Sequence, residues 1–110
     1  MEDRSAIPPG TLYMLILKTL ARLGPMHGYG ISQYIQQSSD DVLRVEEGSL
    51  YPALQRMLIK GWVVAEWKQS DSNRRARFYE LTPEGRKQLA REVKEFEHVI
   101  AAIVRVIRPA

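Results

Sequence analysis

Apolar residues recur with the spacing of an α-helix in four segments of the chain, and two β-rich segments separate the third from the fourth. In residues 11–23 the apolar positions cover most of the helical surface rather than one stripe. A helix of this kind is buried on most of its faces, so in a short chain we expect another subunit to cover part of it. Gly24 and Pro25 end this first predicted helix.

A second, shorter helix is predicted for about residues 27–37, where His27 is expected to cap the first turn. A polar turn follows at residues 38–41. Residues 42–45 then form either a short strand or an extended connector. The second helix, this turn and the third helix together indicate a helix-turn-helix unit.

The third helix is the element around which the chain is organised. Its apolar residues share one face of a helical wheel: Leu50, Leu54, Met57 and Leu58. Pro52 lacks an N–H group and fits best in the first turn of a helix. It therefore predicts either Ser49 as the N-cap or a helix that starts one or two residues earlier. The opposite face is small, polar and cationic, which is typical of a helix presented to a partner.

Two segments rich in β-forming residues, 62–67 and 77–81, predict a hairpin. The loop between them, residues 69–76, is polar and contains Arg74 and Arg75. The hairpin is therefore expected to carry a cationic tip.

Thr82-Pro83-Glu84 is a strong start signal for the last helix, which is predicted to run to about Ile107. Its apolar residues alternate four and three positions apart: Leu89, Val93, Phe96, Ile100, Ile103 and Ile107. This is the heptad pattern of helices that pair with one another. At 1.5 Å per residue the helix is about 37 Å long, which is more than a small domain needs for its own core.

The order of elements predicts a mainly α fold with a small β-hairpin, namely a winged helix-turn-helix followed by a long C-terminal helix. We expect residues 1–10 to form a flexible arm, residues 11–81 a DNA-binding domain and residues 82–110 a dimerisation helix. Leu12 and Ile16 of the first helix join the six heptad residues as predicted dimer contacts. In the less favoured alternative, the heptad residues pack back on their own domain.

The chain has 110 residues, a net charge of +3 at pH 7 and no cysteine. One domain is expected at this length, and the lack of cysteine excludes disulfides and thiolate metal sites and suits a reducing cytoplasm. No apolar run approaches the roughly 18 residues of a membrane-spanning helix. We find no nucleophile–base pair, metal-ligand cluster or phosphate-binding loop, so neither an enzyme nor a cofactor is expected.

Several of these segments resemble the PadR family of bacterial transcriptional regulators. The resemblance rests on His27-Gly28-Tyr29, on residues 47–54 (Glu-Gly-Ser-Leu-Tyr-Pro-Ala-Leu), on residues 73–79 and on residues 81–85. The single C-terminal helix is similar to that of the compact PadR subgroup, whose members dimerise by packing this helix on the partner's first helix. The resemblance also implies a small aromatic effector near the dimer interface, for which Tyr13, Trp62, Trp67 and Phe96 are candidate lining residues.

The candidate DNA contacts lie on the second and third helices and on the hairpin: Tyr29, Ser49, Tyr51, Arg56, Asn73, Arg74, Arg75 and Arg77. We assign Ser49 and Tyr51 mainly to phosphates, whereas Arg56 is suited to either a phosphate or a guanine edge. Alternation along a strand predicts Arg75 and Arg77 on one face and Arg74 on the other.

The leading hypothesis is a homodimeric, sequence-specific regulator that binds double-stranded DNA and represses transcription from a palindromic operator. The alternative is a winged-helix module that dimerises or binds other proteins without reading DNA, because fold alone does not fix function.

Overall fold

The computed structural model describes residues 5–8 and 10–109. Its helices are α1 (Leu12–Leu23), α2 (Gly28–Ser38), α3 (Glu47–Ile59) and α4 (Pro83–Ile107). Its strands are β1 (Ser5–Ala6), β2 (Met26–His27), β3 (Leu43–Arg44), β4 (Val63–Gln69) and β5 (Arg75–Leu81). The predicted order of helix, helix, helix, hairpin, helix is confirmed, and the fold is mainly α with a small sheet.

A single hydrophobic core joins the first three helices to the sheet. The centre of α1 supplies Ile16, Leu17 and Leu20, each at most 1% exposed. Ile31 of α2 and Leu54 of α3 meet them and are fully buried. Helix α1 is thus surrounded by elements of its own chain over much of its length, which is why so many of its faces are apolar.

The antiparallel sheet closes one side of this core in the strand order β2-β5-β4. At its base Val63 pairs with Leu81, and Tyr79 pairs with both Ala65 and Met26. These base residues are largely apolar and face the helices, whereas the hairpin's far end projects away from the core. The hairpin, residues 63–81, is called the wing below.

Helix α3 begins at Glu47, so the prediction of Ser49 as N-cap is wrong and the earlier start is confirmed. Extended Glu46 is the N-cap, and its carbonyl accepts from the backbone N–H groups of Ser49 (3.0 Å) and Leu50 (2.9 Å). Pro52 therefore lies in the second turn, where it removes one backbone hydrogen bond. Leu50 is 1% exposed, and its burial holds the turn before the proline in helical form.

Two residues of the predicted flexible arm form a strand. Strand β1 pairs in parallel with β3, with Ser5 opposite Leu43 and Ala6 opposite Arg44, and Ile7 packs against the core. The prediction of an arm at residues 1–4 and 9 concerns positions outside the described residues.

The start of α4 matches its sequence signal. The hydroxyl of Thr82 accepts from the N–H of Gly85 (3.0 Å) and donates to the carbonyl of Gly61 (2.7 Å). This second bond ties the beginning of α4 to the end of α3. In the described part of the chain, no helix combines the length and apolarity needed to cross a membrane.

Candidate nucleic-acid interface

The wing is longer and its loop is shorter than the sequence predicted. Cross-strand pairing extends to Gln69 and Arg75, which leaves a loop of residues 70–74. The N–H of Ser70 donates to the Arg74 carbonyl (2.7 Å), and the N–H of Asn73 donates to the Ser70 carbonyl (2.9 Å). Asn73 adopts a left-handed conformation with φ 64°, which asparagine tolerates well. The loop is therefore a tight turn with fixed geometry.

Two arginines of the wing lie on the same face of β5, as alternation predicted. The Arg75 guanidinium lies 5.7 Å from the ring of Trp67, and that of Arg77 lies 5.9 Å from the ring of Tyr79. Both distances are within the range of cation–π attraction. These contacts orient the two positive charges along one surface.

A cleft lies between this face of the wing on one side and the first turns of α2 and α3 on the other. Its volume is about 860 Å³. We call it the arginine groove, and it is lined by His27, Gly28, Tyr29, Tyr51, Trp67, Ser70, Ser72, Arg74, Arg75, Ala76, Arg77 and Tyr79. No carboxylate belongs to this lining. A groove with three arginines and no acid attracts an extended anion.

Alternation predicts Arg74 on the other face from Arg75 and Arg77, yet Arg74 also lines the arginine groove. That prediction assumed a continuous strand through all three residues. Arg74 instead belongs to the turn, and the left-handed Asn73 before it ends the alternation of side chains. All three cations thus serve one surface.

Tyr51 forms the joint between α3 and α2. A Cβ atom placed on Gly28 would lie 2.8 Å from the Tyr51 hydroxyl oxygen, so the ring packs directly over this glycine. Burial, reinforced by the charge of Glu47 and by neighbouring Tyr79, raises the pKa of the Tyr51 hydroxyl. The hydroxyl therefore keeps its proton at neutral pH and remains a hydrogen-bond donor in the groove.

Tyr29 stands at the mouth of the groove in the first turn of α2. Its side chain is 63% exposed, and its hydroxyl accepts from the Gln33 side-chain amide (2.9 Å). The turn itself is capped by His27, whose Nδ1 accepts from the N–H of Gly30 (2.9 Å), as the sequence predicted. Bound to Gln33, the Tyr29 hydroxyl still has a proton to donate to an incoming anion.

The remaining predicted contacts lie outside the groove. Ser49 and Arg56 are exposed on the side of α3 that faces away from the wing. The Arg56 guanidinium donates to the Tyr13 hydroxyl on α1 at 3.4 Å. Asn73 is exposed at the tip of the wing, where its side chain accepts from the Gln69 amide (2.8 Å). The predicted DNA contacts therefore lie on both flanks of α3 and at the tip of the wing, rather than in one cluster.

Sequence reasoning missed several residues of the groove, of which Trp67 and Gly28 are the most informative. Trp67 was a candidate for an effector site, but it is 57% exposed and lies beside the wing arginines. Its alternation with Ala65 and Gln69 placed it on the same face as Arg77, which was the available signal. Gly28 was given no role, and only the approach of Tyr51 in three dimensions reveals its function.

A model of the transcriptional regulator PadR-like family matches residues 16–91. An uncharacterized 37.1 kDa protein in transposon TN4556 of Streptomyces fradiae is 43% identical over 79 residues, which are 72% of this chain and 21% of that protein. The chain thus spans about a fifth of that relative's length. Uncharacterized protein X of Lysinibacillus sphaericus is 29% identical over 96 residues, 87% of each chain.

The chain belongs to the PadR-like family of transcriptional regulators. Solved structures agree with this assignment. A transcriptional regulator from Clostridium thermocellum shares 27% identity and a TM-score of 0.81, covering 90% of this chain and 95% of that one. A PadR family transcription regulator from Clostridium difficile shares 26% identity and a TM-score of 0.75, covering 89% and 99%. The PadR-like fold is a winged helix, and its regulatory role implies DNA binding.

The heptad residues of this PadR-like chain divide into two groups. Leu89 is 9% exposed and Val93 is half-buried, and both pack against the protomer's own core. The other four are exposed by between 38% and 67%: Phe96, Ile100, Ile103 and Ile107. On α1, Leu12 is half-buried and Ile16 is 0% exposed, so Ile16 is a core residue rather than a contact available to a partner.

The aromatic residues proposed to line an effector site lie in three different places. Tyr13 and Trp62 contact each other edge to face with 5.8 Å between ring centroids. Trp67 lines the arginine groove, and Phe96 lines a separate cleft between the start of α1 and α4. A single copy of the chain therefore does not bring the four together around one ligand.

Proposed function

We propose that this PadR-like regulator acts as a homodimer that binds a palindromic operator and represses transcription by occupying it. The observation that carries the proposal is the arginine groove, in which three arginines face the beginning of α2 and the exposed side of α3 across an acid-free surface.

The groove suits a DNA strand because its donors are arranged along its length. Arg74, Arg75 and Arg77 supply positive charge from the wing, while the Tyr29 and Tyr51 hydroxyls supply neutral donors from the helical side. Cations of this kind bind phosphates and release counterions from the duplex, and hydroxyls add positional contacts. Helix α3 then stands beside the bound strand, in position to enter the adjacent major groove.

Helix α4 supports the homodimer. Beyond Val93 it projects an apolar stripe that its own domain does not cover, including Ile100 and Ile103, which are 40% and 46% exposed. An exposed apolar stripe along one helix of a small domain is typical of a protein–protein interface. A two-fold dimer that binds a palindromic site must hold its two copies of α3 roughly 34–36 Å apart, one turn of the duplex.

The DNA-binding proposal is tested with Arg74→Ala combined with Arg75→Ala. We expect the affinity for a selected operator to fall at least roughly tenfold and the slope of log K against log salt to flatten by about 0.9 for each lost phosphate contact. Arg86→Ala combined with Lys87→Ala is the matched control, because it removes the same charge from the start of α4, away from the wing tip. Unchanged affinity and slope in the wing variant would contradict the proposal, and so would a random-duplex selection that enriches no sequence.

The homodimer is tested with Ile100→Glu combined with Ile103→Glu, measured by sedimentation velocity. Two carboxylates in an apolar interface are costly to bury, so we expect monomers at concentrations where the wild type is dimeric. Val106→Glu is the control, since Val106 is 80% exposed at the edge of the same stripe. A double variant that remains dimeric would rule out this surface as the interface.

A further inference from the structure

The face of α3 that points directly away from the core carries an unusual set of side chains. With about 100° of rotation per residue, the strip opposite the buried Leu54 and Met57 is formed by four exposed residues. They are Gly48, Pro52, Gln55 and Ile59. None of them was among the predicted DNA contacts.

Only one member of this outward strip has a side chain that forms hydrogen bonds. Gln55 presents a donor and an acceptor on one amide, and this amide has no hydrogen-bond partner among the described residues. By contrast, the amides of Gln33, Gln69 and Gln88 are each bonded to a neighbouring side chain. The Gln55 amide is therefore free to bind a partner outside the protein.

At its N-terminal end, where the helix would enter a groove, the strip has no bulky side chain because Gly48 stands there. A Cβ atom on Gly48 would meet nothing within 4 Å, so nothing in the described structure requires glycine there. A close approach by an external surface, such as the wall of a DNA groove, gives this glycine a reason.

The side chains that flank the strip are held to either side of it. Arg56 is turned towards α1 by its hydrogen bond to Tyr13, and Tyr51 is packed over Gly28 on the wing side. Both are placed for the two phosphate backbones that border a major groove. The centre of the groove is left to Gln55.

We propose that Gln55 is the residue that determines base specificity and that it reads an adenine in each half-site. Its amide oxygen accepts from the adenine N6 amino group while its amide nitrogen donates to N7, the bidentate pairing that glutamine makes in a major groove. This inference rests on the proposed DNA-binding function and adds to it the identity of the base.

The test is a selection from a randomised duplex library with the wild type, Gln55→Ala and Gln55→Glu. We expect the wild type to enrich adenine at one position of each half-site and Gln55→Ala to lose this preference alone. Affinity for the wild-type site should fall roughly tenfold for each half-site, as expected when one bidentate base contact is removed. Gln55→Glu should shift the preference to cytosine, because a carboxylate accepts from the cytosine N4 amino group.

Gln37→Ala is the matched control, since Gln37 is exposed at the far end of α2 from the groove and its amide also lacks a described partner. Its selected sequence should equal that of the wild type. If the wild type enriches a sequence and Gln55→Ala retains every preference, the role of Gln55 is wrong while DNA binding stands. If the wild type enriches nothing, the proposed function itself fails. Circular dichroism of each variant confirms that the comparison is between folded proteins.

Discussion

The wing and helix α3 border the same groove, yet their exposed surfaces differ sharply in chemistry. The wing brings Arg74, Arg75 and Arg77 into the groove, and aromatic rings hold two of these cations in place. The outward strip of α3 has no charge, and the nearest cation on that helix, Arg56, is drawn aside by Tyr13.

This difference separates two tasks that DNA recognition requires. Charge binds any duplex, because phosphates are the same in every sequence. A slim, uncharged helix surface binds few duplexes well, because it must match the pattern of donors and acceptors on base edges. In this protein we infer that the wing supplies most of the affinity and α3 supplies the selectivity.

The largest expected effect comes from the joint between the two regions. Gly28→Ala places a methyl group against the Tyr51 ring, which must shift to make room. Because the crowded atoms are the end of a tyrosine side chain that is 44% exposed, we expect the free energy of unfolding to fall by only about 1 kcal/mol, whereas DNA affinity should fall roughly tenfold as the Tyr51 hydroxyl is displaced. Thermal unfolding and fluorescence anisotropy measure the two effects. Gly48→Ala is the control for stability, because its added methyl group meets open space.

A smaller effect is expected on the wing side. Trp67→Ala removes the ring against which Arg75 lies, a contact worth about 0.5–1 kcal/mol at an exposed site, so affinity should fall roughly two- to fivefold. The salt dependence should not change, because every cation remains. Trp67→Phe should retain most of the affinity, and Val64→Ala on the opposite face should have no effect. A changed salt slope in Trp67→Ala would contradict a purely positioning role.

The smallest effect is expected on the far flank of α3. Tyr13→Phe keeps the ring contact with Trp62 and removes only the hydroxyl that accepts from Arg56 at 3.4 Å. Because this bond is long and exposed, we expect only about a twofold loss of affinity. The order of preferred DNA sequences should be unchanged if Arg56 binds a phosphate. A changed order in a competition assay would show that Arg56 reads a base.

The last helix shows which of its features the sequence pattern predicts and which it does not. Its start at Thr82, its end near Ile107 and its apolar stripe all follow from local signals, and all are found in the structure. The heptad pattern does not reveal that Leu89 lies against the protomer's own core while Ile103 does not. The same spacing serves both kinds of contact, so only the packing of α4 on α1 separates them.

The wing shows a second limit. Its two strands and its cationic character were predicted, but the strands are longer than predicted, and Arg74 lies in the turn, where it also lines the arginine groove. A polar sequence does not mark where cross-strand pairing ends. The turn, closed between Ser70 and Arg74 with a left-handed backbone at Asn73, ends the strand alternation before Arg74.

By itself, the sequence determined the number, type and order of the main elements, because helical spacing, caps and β-forming segments act over a few neighbouring residues. It also determined the cations available to the wing. The tertiary structure decided which residues share a surface: it set Tyr51 over Gly28, drew Arg56 towards Tyr13 and left Gln55 as the one hydrogen-bonding side chain of the outward strip. These arrangements depend on contacts between distant segments, which form only when the core packs.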